Sequence, residues 1–158
     1  FVEALSNNRY VGRTFIQPDQ RQRENSLNVK MNALRANIRG KRLIIIDDSI
    51  VRGTTMRKIV KMLRDAGASE VHIRVCSPII KHPCHLGIDF QTYSQLIGAY
   101  RNEEQISKII GADSVRYLSV EHLVESCKKS NLNFCLGCFT GNYPYPLESC
   151  ETDKFKFE

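Results

Sequence analysis

The stretch GKRLIIIDDSIVRGTTMRKIV, residues 40–60, joins an apolar run to two carboxylates and then to a turn rich in glycine and hydroxyl groups. The run at residues 43–46 has the length and the β-branched content of a buried parallel strand. Asp47 and Asp48 follow directly, and two adjacent negative charges repel each other unless a ligand or a cation uses them. The sequence therefore predicts a functional site at the end of this strand.

The rest of the chain alternates between strand and helix patterns. The predicted elements are a helix over residues 56–66 stopped by Gly67, a strand over residues 71–75 ending near Ser77 and Pro78, a helix over residues 92–99, a helix over residues 103–110 between Asn102 as N-cap and Gly111 as stop, a strand over residues 114–119, and a helix capped by Ser119 that runs to residue 126. This alternation predicts the α/β class, with a parallel sheet flanked by helices.

Length and composition suit one domain with a real core. The chain has 158 residues, 42% of them apolar, and no segment is long and apolar enough to span a bilayer. It begins with Phe1 and shows no secretory signal. We expect a soluble, internal piece of a longer intracellular chain, with no membrane partner.

The net charge of +6 comes from one segment. Residues 12–42 contain eight Lys and Arg against two acidic residues, whereas the remainder carries 15 basic and 15 acidic residues. Such a concentration favours an anionic ligand, and a solvated basic face is the plainer alternative. Only Phe15 offers a stacking ring inside this segment, so a platform for single-stranded nucleic acid is a poor match.

The turn after the carboxylates has the chemistry of a phosphate site. In open α/β sheets ligands bind at the carboxyl ends of strands, and the turn SIVRGTT leads from such an end into a helix. Backbone N–H groups and the hydroxyls of Ser49, Thr54 and Thr55 can bind a phosphate, while Asp47 and Asp48 can accept hydrogen bonds from sugar hydroxyls and hold Mg²⁺. A sugar phosphate meets both demands. Carboxylates that merely end a strand and cap a helix explain one aspartate better than two.

Six cysteines form a second chemical signal: Cys76, Cys84, Cys127, Cys135, Cys138 and Cys150. Without a secretory signal, disulfides are not expected. A thioredoxin-like CLGC would begin a helix, which the Gly and Pro of the following FTGNYPYP oppose. A zinc site from Cys84, Cys135 and Cys138 with His82 or His85 remains open. Cys76 lies on a strand pattern and is predicted to be a small core residue.

Several motifs resemble a known family. LIIIDDSIVRGTT resembles the phosphoribosyl-pyrophosphate (PRPP) motif of type I phosphoribosyltransferases, and NRYVGRTFIQP, SPIIKHPCHLGID, IGADSVRYLSVEHL and CLGCFTGNYP resemble the amidophosphoribosyltransferases. The resemblance implies a type I phosphoribosyltransferase fold, incomplete at the N-terminus. It also implies an enzyme that transfers ammonia, released from glutamine, to PRPP in the first step of de novo purine synthesis, giving 5-phosphoribosylamine and pyrophosphate.

The resemblance also implies roles for individual residues. Asp47 and Asp48 would be catalytic and would hold the ribose hydroxyls and Mg²⁺. A mobile loop within residues 12–35 would close over PRPP, with Lys30 reaching the pyrophosphate. The residues implied in binding the 5-phosphate are Ser49, Ile50, Val51, Arg52, Gly53, Thr54 and Thr55.

In the iron-sulfur branch of the family, Cys84, Cys135 and Cys138 would bind a 4Fe-4S cluster whose fourth ligand lies outside this chain. The resemblance further implies purine nucleotide inhibitors, a homo-oligomer, a cytoplasmic location and no nucleic-acid partner. Residues 1–126 would be the C-terminal portion of the phosphoribosyltransferase domain and residues 127–158 a cysteine-containing tail. Since the glutaminase domain is absent, the piece alone would be inactive or dependent on free ammonia.

Two other functions are compatible with a sugar-phosphate site. One is a regulatory module that senses PRPP or purine nucleotides and binds nucleic acid, and the other is a salvage phosphoribosyltransferase that takes a base instead of ammonia. The three cysteines, two of them in CLGC, have no purpose in the salvage enzyme, and the CLGCFTGNYP end argues against the regulatory module.

Overall fold

The computed structural model describes residues 1–7, 31–90, 92–127 and 134–145. Its elements, in chain order, are strands β1 (Leu5–Asn7) and β2 (Met31–Ala33), helix α1 (Arg35–Ile38), strand β3 (Arg42–Asp47), helix α2 (Thr54–Asp65), strand β4 (Glu70–Val75), a 3₁₀ turn (Tyr93–Gln95), helix α3 (Glu103–Ile110), strand β5 (Ser114–Tyr117), and helices α4 (Val120–Cys127) and α5 (Gly137–Thr140). None of these helices has the length and apolar character needed to cross a bilayer.

The predicted parallel sheet is confirmed. Its three strands lie in the order β3-β4-β5, and all neighbours are parallel. Asp47 pairs with Val75, so the last residue of β3 lies beside the last residue of β4. A separate antiparallel pair joins β1 to β2, with Asn7 opposite Met31.

The main core lies between one face of the sheet and helices α2 and α3. The spacing that predicted α2 is confirmed, and its buried residues are Met56, Ile59, Val60 and Leu63. Helix α3 has the predicted ends. The Asn102 side chain accepts a hydrogen bond from the Gln105 N–H, the Gln105 side chain accepts one from the Asn102 N–H, and Gly111 closes the helix at φ 82°.

The prediction that β3 is a buried strand is wrong for one of its two faces in the part of the chain that the structure describes. Leu43 and Ile45 pack against the main core, whereas Ile44 and Ile46 are 65% and 71% exposed. A parallel strand alternates its side chains between two faces, and the described helices cover only one of them at this strand.

The prediction of a helix over residues 92–99 is also wrong. Only the 3₁₀ turn forms, because Ile97 N–H donates to the Val51 carbonyl, 2.8 Å away, instead of to a helical partner. Gly98 approaches the 79–80 backbone so closely that an added Cβ would lie 2.8 Å from the Ile80 carbonyl oxygen. Tertiary contacts therefore replace the local hydrogen bonds that a helix needs.

Two predictions about cysteines need correction. Cys76 is exposed and lies just beyond β4, where its N–H donates to the Asp47 carbonyl, so it is no core residue. The one-turn helix α5 does begin inside CLGC, at Gly137. Gly141, at φ 82°, ends that helix, so the glycine limits its length but does not prevent it.

Candidate phosphate site and cysteine segment

The carboxylate pair lies at the carboxyl end of β3. The Asp48 N–H donates to Asp47 Oδ1 over 3.1 Å, and the Ser49 N–H donates to Asp48 Oδ1 over 2.7 Å. Each aspartate thus accepts the backbone N–H of the next residue, which bends the chain out of the strand. Both carboxylates lie at the edge where the strands of a parallel sheet leave room for a ligand.

The two carboxylates differ in their surroundings. Asp47 is half-buried and Asp48 is exposed. Burial raises the pKa of Asp47, the Asp48 N–H opposes that rise, and the negative charge of Asp48 adds to it. A ligand that brings hydrogen-bond donors or a divalent cation would relieve this repulsion, and carboxylate oxygens are suitable ligands for Mg²⁺.

Two apolar side chains of the turn that follows pack against hydrophobic clusters. Ile50 is buried in the main core. Val51 packs against a second hydrophobic cluster, formed by the buried side chains of Ile80, Phe90 and Leu96. Gly53 has φ 75°, and a Cβ there would lie 2.5 Å from Ile97 Cδ1. The turn therefore requires glycine for its backbone conformation, and an added Cβ would also displace the end of the Ile97 side chain.

Helix α2 begins directly after this turn with no side-chain cap. The first helical hydrogen bond closes from the Arg57 N–H to the Gly53 carbonyl, so the preceding N–H groups have no partner within the helix. The exposed hydroxyl residues Thr54 and Thr55 lie at the same end. Arg52 is half-buried, with Nη2 3.5 Å from the Asp89 carbonyl oxygen. N–H groups at the positive end of a helix dipole suit an anion such as phosphate.

Lys30 and most of the basic segment lie outside the described residues. The structure describes the residues on either side of residues 8–30. Asn7 and Met31 are directly paired in the β1–β2 sheet, so these two flanking residues are neighbours.

The C-terminal segment, residues 134–145, packs against residues 80–84. The Cys138 carbonyl accepts the N–H groups of Lys81 and His82 over 2.9 and 3.0 Å. The Tyr143 hydroxyl donates to the Pro83 carbonyl. Cys84 and Cys138 both pack against the second hydrophobic cluster.

The three cysteines predicted from the sequence, Cys84, Cys135 and Cys138, lie on the chain after β4 and on the C-terminal segment that docks there. Burial raises the pKa of Cys138, and the neighbouring Cys84 and Cys135 raise it further. Among the described residues, however, no three His, Cys, Asp or Glu side chains are grouped closely enough to hold one metal ion. His82 Nδ1 lies 3.1 Å from the Tyr93 hydroxyl, and the His85 ring packs against that of Tyr143 with centroids 5.1 Å apart. Docking thus brings the two cysteine-containing segments together, and both imidazoles contact tyrosines.

The predicted elements did not indicate the second hydrophobic cluster or the residues that pack on it. Residues 92–99 were predicted to be a helix, which concealed the contact between Ile97 and Val51. Gly98, inside the apolar run LIGA, was the available signal, because an isolated glycine often marks a close backbone approach. No local sequence pattern indicated that Phe139 packs against this cluster.

Comparison with known proteins agrees with this geometry. The model of the phosphoribosyl transferase domain family matches residues 1–84. The chain is 51% identical to the amidophosphoribosyltransferase of Synechococcus elongatus over 159 residues, which cover 100% of this chain and 32% of that protein. It is 52% identical to the enzyme of Methanothermobacter thermautotrophicus over 149 residues, covering 94% of this chain and 31% of the relative.

A solved structure gives the same result. The chain superposes with TM-score 0.76 and 49% identity on glutamine PRPP amidotransferase from Bacillus subtilis complexed with ADP and GMP, covering 92% of this chain and 33% of the other. The sheet, the flanking helices and the family match define the class: the chain belongs to the phosphoribosyl transferase domain family and has the type I fold. Within that family, the proteins that it resembles at about half identity are the amidophosphoribosyltransferases, and it spans about a third of their length.

Proposed function

We propose that this chain is the PRPP-binding part of an amidophosphoribosyltransferase. The whole enzyme would transfer ammonia, derived from glutamine, to PRPP and form 5-phosphoribosylamine and pyrophosphate, the first step of de novo purine synthesis. The observation that carries the proposal is the carboxylate pair followed by an uncapped helix N-terminus at the end of a parallel strand. Similarity of about 50% to named amidophosphoribosyltransferases supports it.

The proposed contacts divide the substrate between two parts of the turn. Residues 49–55 would bind the 5-phosphate through backbone N–H groups and the hydroxyls of Ser49, Thr54 and Thr55. Asp47 and Asp48 would accept hydrogen bonds from the ribose hydroxyls. The same two carboxylates would hold Mg²⁺, which supplies positive charge to the pyrophosphate oxygens.

In this reaction the bond from C1 to the pyrophosphate oxygen breaks and a bond from C1 to the ammonia nitrogen forms. No side-chain nucleophile is required. Negative charge grows on the departing pyrophosphate, and Lys30, as a cation reaching those oxygens, would stabilise it. Closure of a loop within residues 12–35, on the N-terminal side of β2, would exclude water, which competes with ammonia for C1.

For the cysteines we propose a 4Fe-4S cluster bound by Cys84, Cys135 and Cys138, with a fourth ligand outside this chain. The docking of the C-terminal segment supports a shared centre, because the Cys138 carbonyl accepts the N–H groups of Lys81 and His82 and Cys84 packs on the same hydrophobic cluster as Cys138. The group would supply a cross-link between residues 84 and 135–138.

We further propose the organisation of the whole protein. Residues 1–126 would be the C-terminal portion of the phosphoribosyltransferase domain, residues 127–158 a tail, and the glutaminase domain would belong to the longer protein. Purine nucleotides would inhibit it, an inference supported by the B. subtilis relative complexed with ADP and GMP. The enzyme would be a cytoplasmic homo-oligomer.

Calorimetric titration with PRPP, with and without Mg²⁺, tests this function in the chain and in the natural protein that contains it. We expect magnesium-dependent binding and, in the natural protein, formation of phosphoribosylamine. Product formed from a purine base instead of ammonia would indicate a salvage enzyme. Binding of PRPP without catalysis, together with DNA binding that falls steeply with salt, would indicate a regulatory module.

A further inference from the structure

The turn at residues 49–55, proposed to bind the 5-phosphate and called the phosphate turn below, packs against the same small hydrophobic cluster as the C-terminal segment at residues 134–145. Its buried members Ile80, Phe90 and Leu96 are 6%, 4% and 2% exposed. Val51 reaches it from the turn, and Phe139 reaches it from the C-terminal segment. Two regions about ninety residues apart in the sequence therefore share one support.

Backbone hydrogen bonds hold both regions to this cluster. On one side, the N–H of Ile97, next to Leu96, donates to the Val51 carbonyl over 2.8 Å. On the other side, the Cys138 carbonyl accepts the N–H of Lys81, next to Ile80. Each attachment lies one residue from a cluster member, so a displacement of the cluster reaches both regions.

The C-terminal segment docks in a closely fitted way. A Cβ on Gly137 would lie 2.4 Å from the Tyr143 ring, and one on Gly141 would lie 3.2 Å from the His82 ring. The Tyr143 hydroxyl donates to the Pro83 carbonyl. These contacts leave little freedom for Phe139, which lies between the two glycines in the sequence.

We propose that Phe139 is a positioning residue for the phosphate turn. This inference rests on the proposed function, in which the N–H groups of residues 49–55 converge on one phosphate. Phe139 is partly buried against the cluster, so removing its ring would take away packing there and allow Val51 to shift. Because several donors must meet one anion, a small displacement lowers affinity strongly.

The test uses the natural protein that contains this chain, with Phe139→Ala, the milder Phe139→Leu, and Ile110→Ala as a matched control. Ile110 is 2% exposed but belongs to the main core, so its truncation lowers stability away from the second cluster. Each variant is titrated with Mg·PRPP at a temperature where circular dichroism shows it folded, and hydrogen exchange is followed at residues 50–55.

We expect Phe139→Ala to weaken Mg·PRPP binding by about tenfold and to speed exchange at residues 50–55, with a smaller effect from Phe139→Leu. Ile110→Ala should lower the thermal midpoint with a smaller effect on either readout, since the main core that it shares with Ile50 does not include the second cluster. Phe139→Ala with wild-type affinity and wild-type exchange would overturn the inference.

The same experiment distinguishes a failure of the proposed function from a failure of this inference. If the wild-type protein does not bind Mg·PRPP, that function is wrong, and exchange alone decides the role of Phe139. Faster exchange at residues 50–55 in Phe139→Ala than in Ile110→Ala supports the positioning role, and equal exchange rejects it.

Discussion

Two neighbouring aspartates at the end of β3 have separate environments. Asp47 is half-buried with a raised pKa, whereas Asp48 is exposed and its Oδ1 accepts the Ser49 N–H. Asp48 is therefore the carboxylate more accessible to a ligand or a hydrated cation.

Replacing Asp48 by Asn keeps the shape of the side chain and removes its charge. We expect Asp48→Asn to weaken Mg·PRPP binding by about tenfold or more, since a hydrogen bond to a charged group contributes roughly 1.5–3 kcal/mol. Phosphoribosylamine synthesis should fall with both ammonia and glutamine as nitrogen donor. Calorimetry and steady-state kinetics measure these effects.

The control for this substitution is Asp65→Asn, which removes an exposed carboxylate that pairs with Lys61 at the far end of α2. Its binding should match the wild type. Unchanged kinetics of Asp48→Asn with free ammonia would contradict the assigned role.

Gly53 supports the same turn through its backbone. We expect Gly53→Ala to lower the free energy of unfolding by more than the roughly 1–2 kcal/mol that a left-handed alanine costs, because the new Cβ also meets Ile97. Gly40→Ala is a matched control, since Gly40 has φ 70° with nothing within 4 Å of an added Cβ. Urea unfolding of both variants separates backbone strain from the steric contact. Equal losses would show that the Ile97 contact is harmless.

Asp113 connects three secondary-structure elements: β5, β4 and α2. It precedes β5, and its Oδ2 accepts the Val71 N–H of β4 over 2.6 Å and also contacts Arg64 Nη2 of α2. The Val71 N–H, and then Arg64, hold the pKa of Asp113 below its usual value. The ionised form therefore stabilises the packing of α2 against the sheet.

This arrangement predicts a pH-dependent loss of stability in Asp113→Asn. Because the folded pKa is lowered, the contribution is complete above the unfolded pKa of about 3.9 and is lost as the pH falls through the folded value. We expect a deficit of about 1 kcal/mol at pH 7 that shrinks toward pH 3. Urea unfolding at both pH values measures it, and a deficit that is the same at both would contradict the ionic origin.

Local sequence signals predicted the elements that local interactions stabilise. Asn102 and Gly111 cap the two ends of α3, as predicted. The apolar spacing of α2 matches its buried face. The position of Asp47 at a strand end was equally readable from the pattern. Residues 92–99 failed because the Ile97 N–H bonds to Val51, a partner that no local pattern identifies. The approach of Cys84 to Cys138 likewise depends on tertiary docking.

At the scale of the whole molecule, the C-terminal segment docks on the chain after β4 through hydrogen bonds and apolar packing. Cys84 belongs to the chain after β4, whereas Cys135 and Cys138 belong to the segment that docks against it. A group bound by all three would add a covalent cross-link to contacts that are otherwise hydrogen bonds and packing. Its loss should weaken that docking.

We expect the natural protein, purified without oxygen, to be brown and to contain iron and sulfide in nearly equal amounts. Cys135→Ser or Cys138→Ser should abolish both and lower the thermal midpoint. Cys76→Ser serves as control, since Cys76 is exposed at the end of β4. The 158-residue chain should hold iron poorly. Stoichiometric zinc without acid-labile sulfide would show that the centre is a different one.

The pairing of Asn7 with Met31 has a consequence for how such proteins diversify. Two directly opposed residues of an antiparallel pair can be joined by a turn as short as about two residues or by a much longer insertion, since the sheet constrains only the flanks. Length polymorphism between these positions should therefore leave the core undisturbed. A recognition peptide grafted there would have both ends fixed by the β1–β2 pair, and it would replace the loop that we propose closes over PRPP.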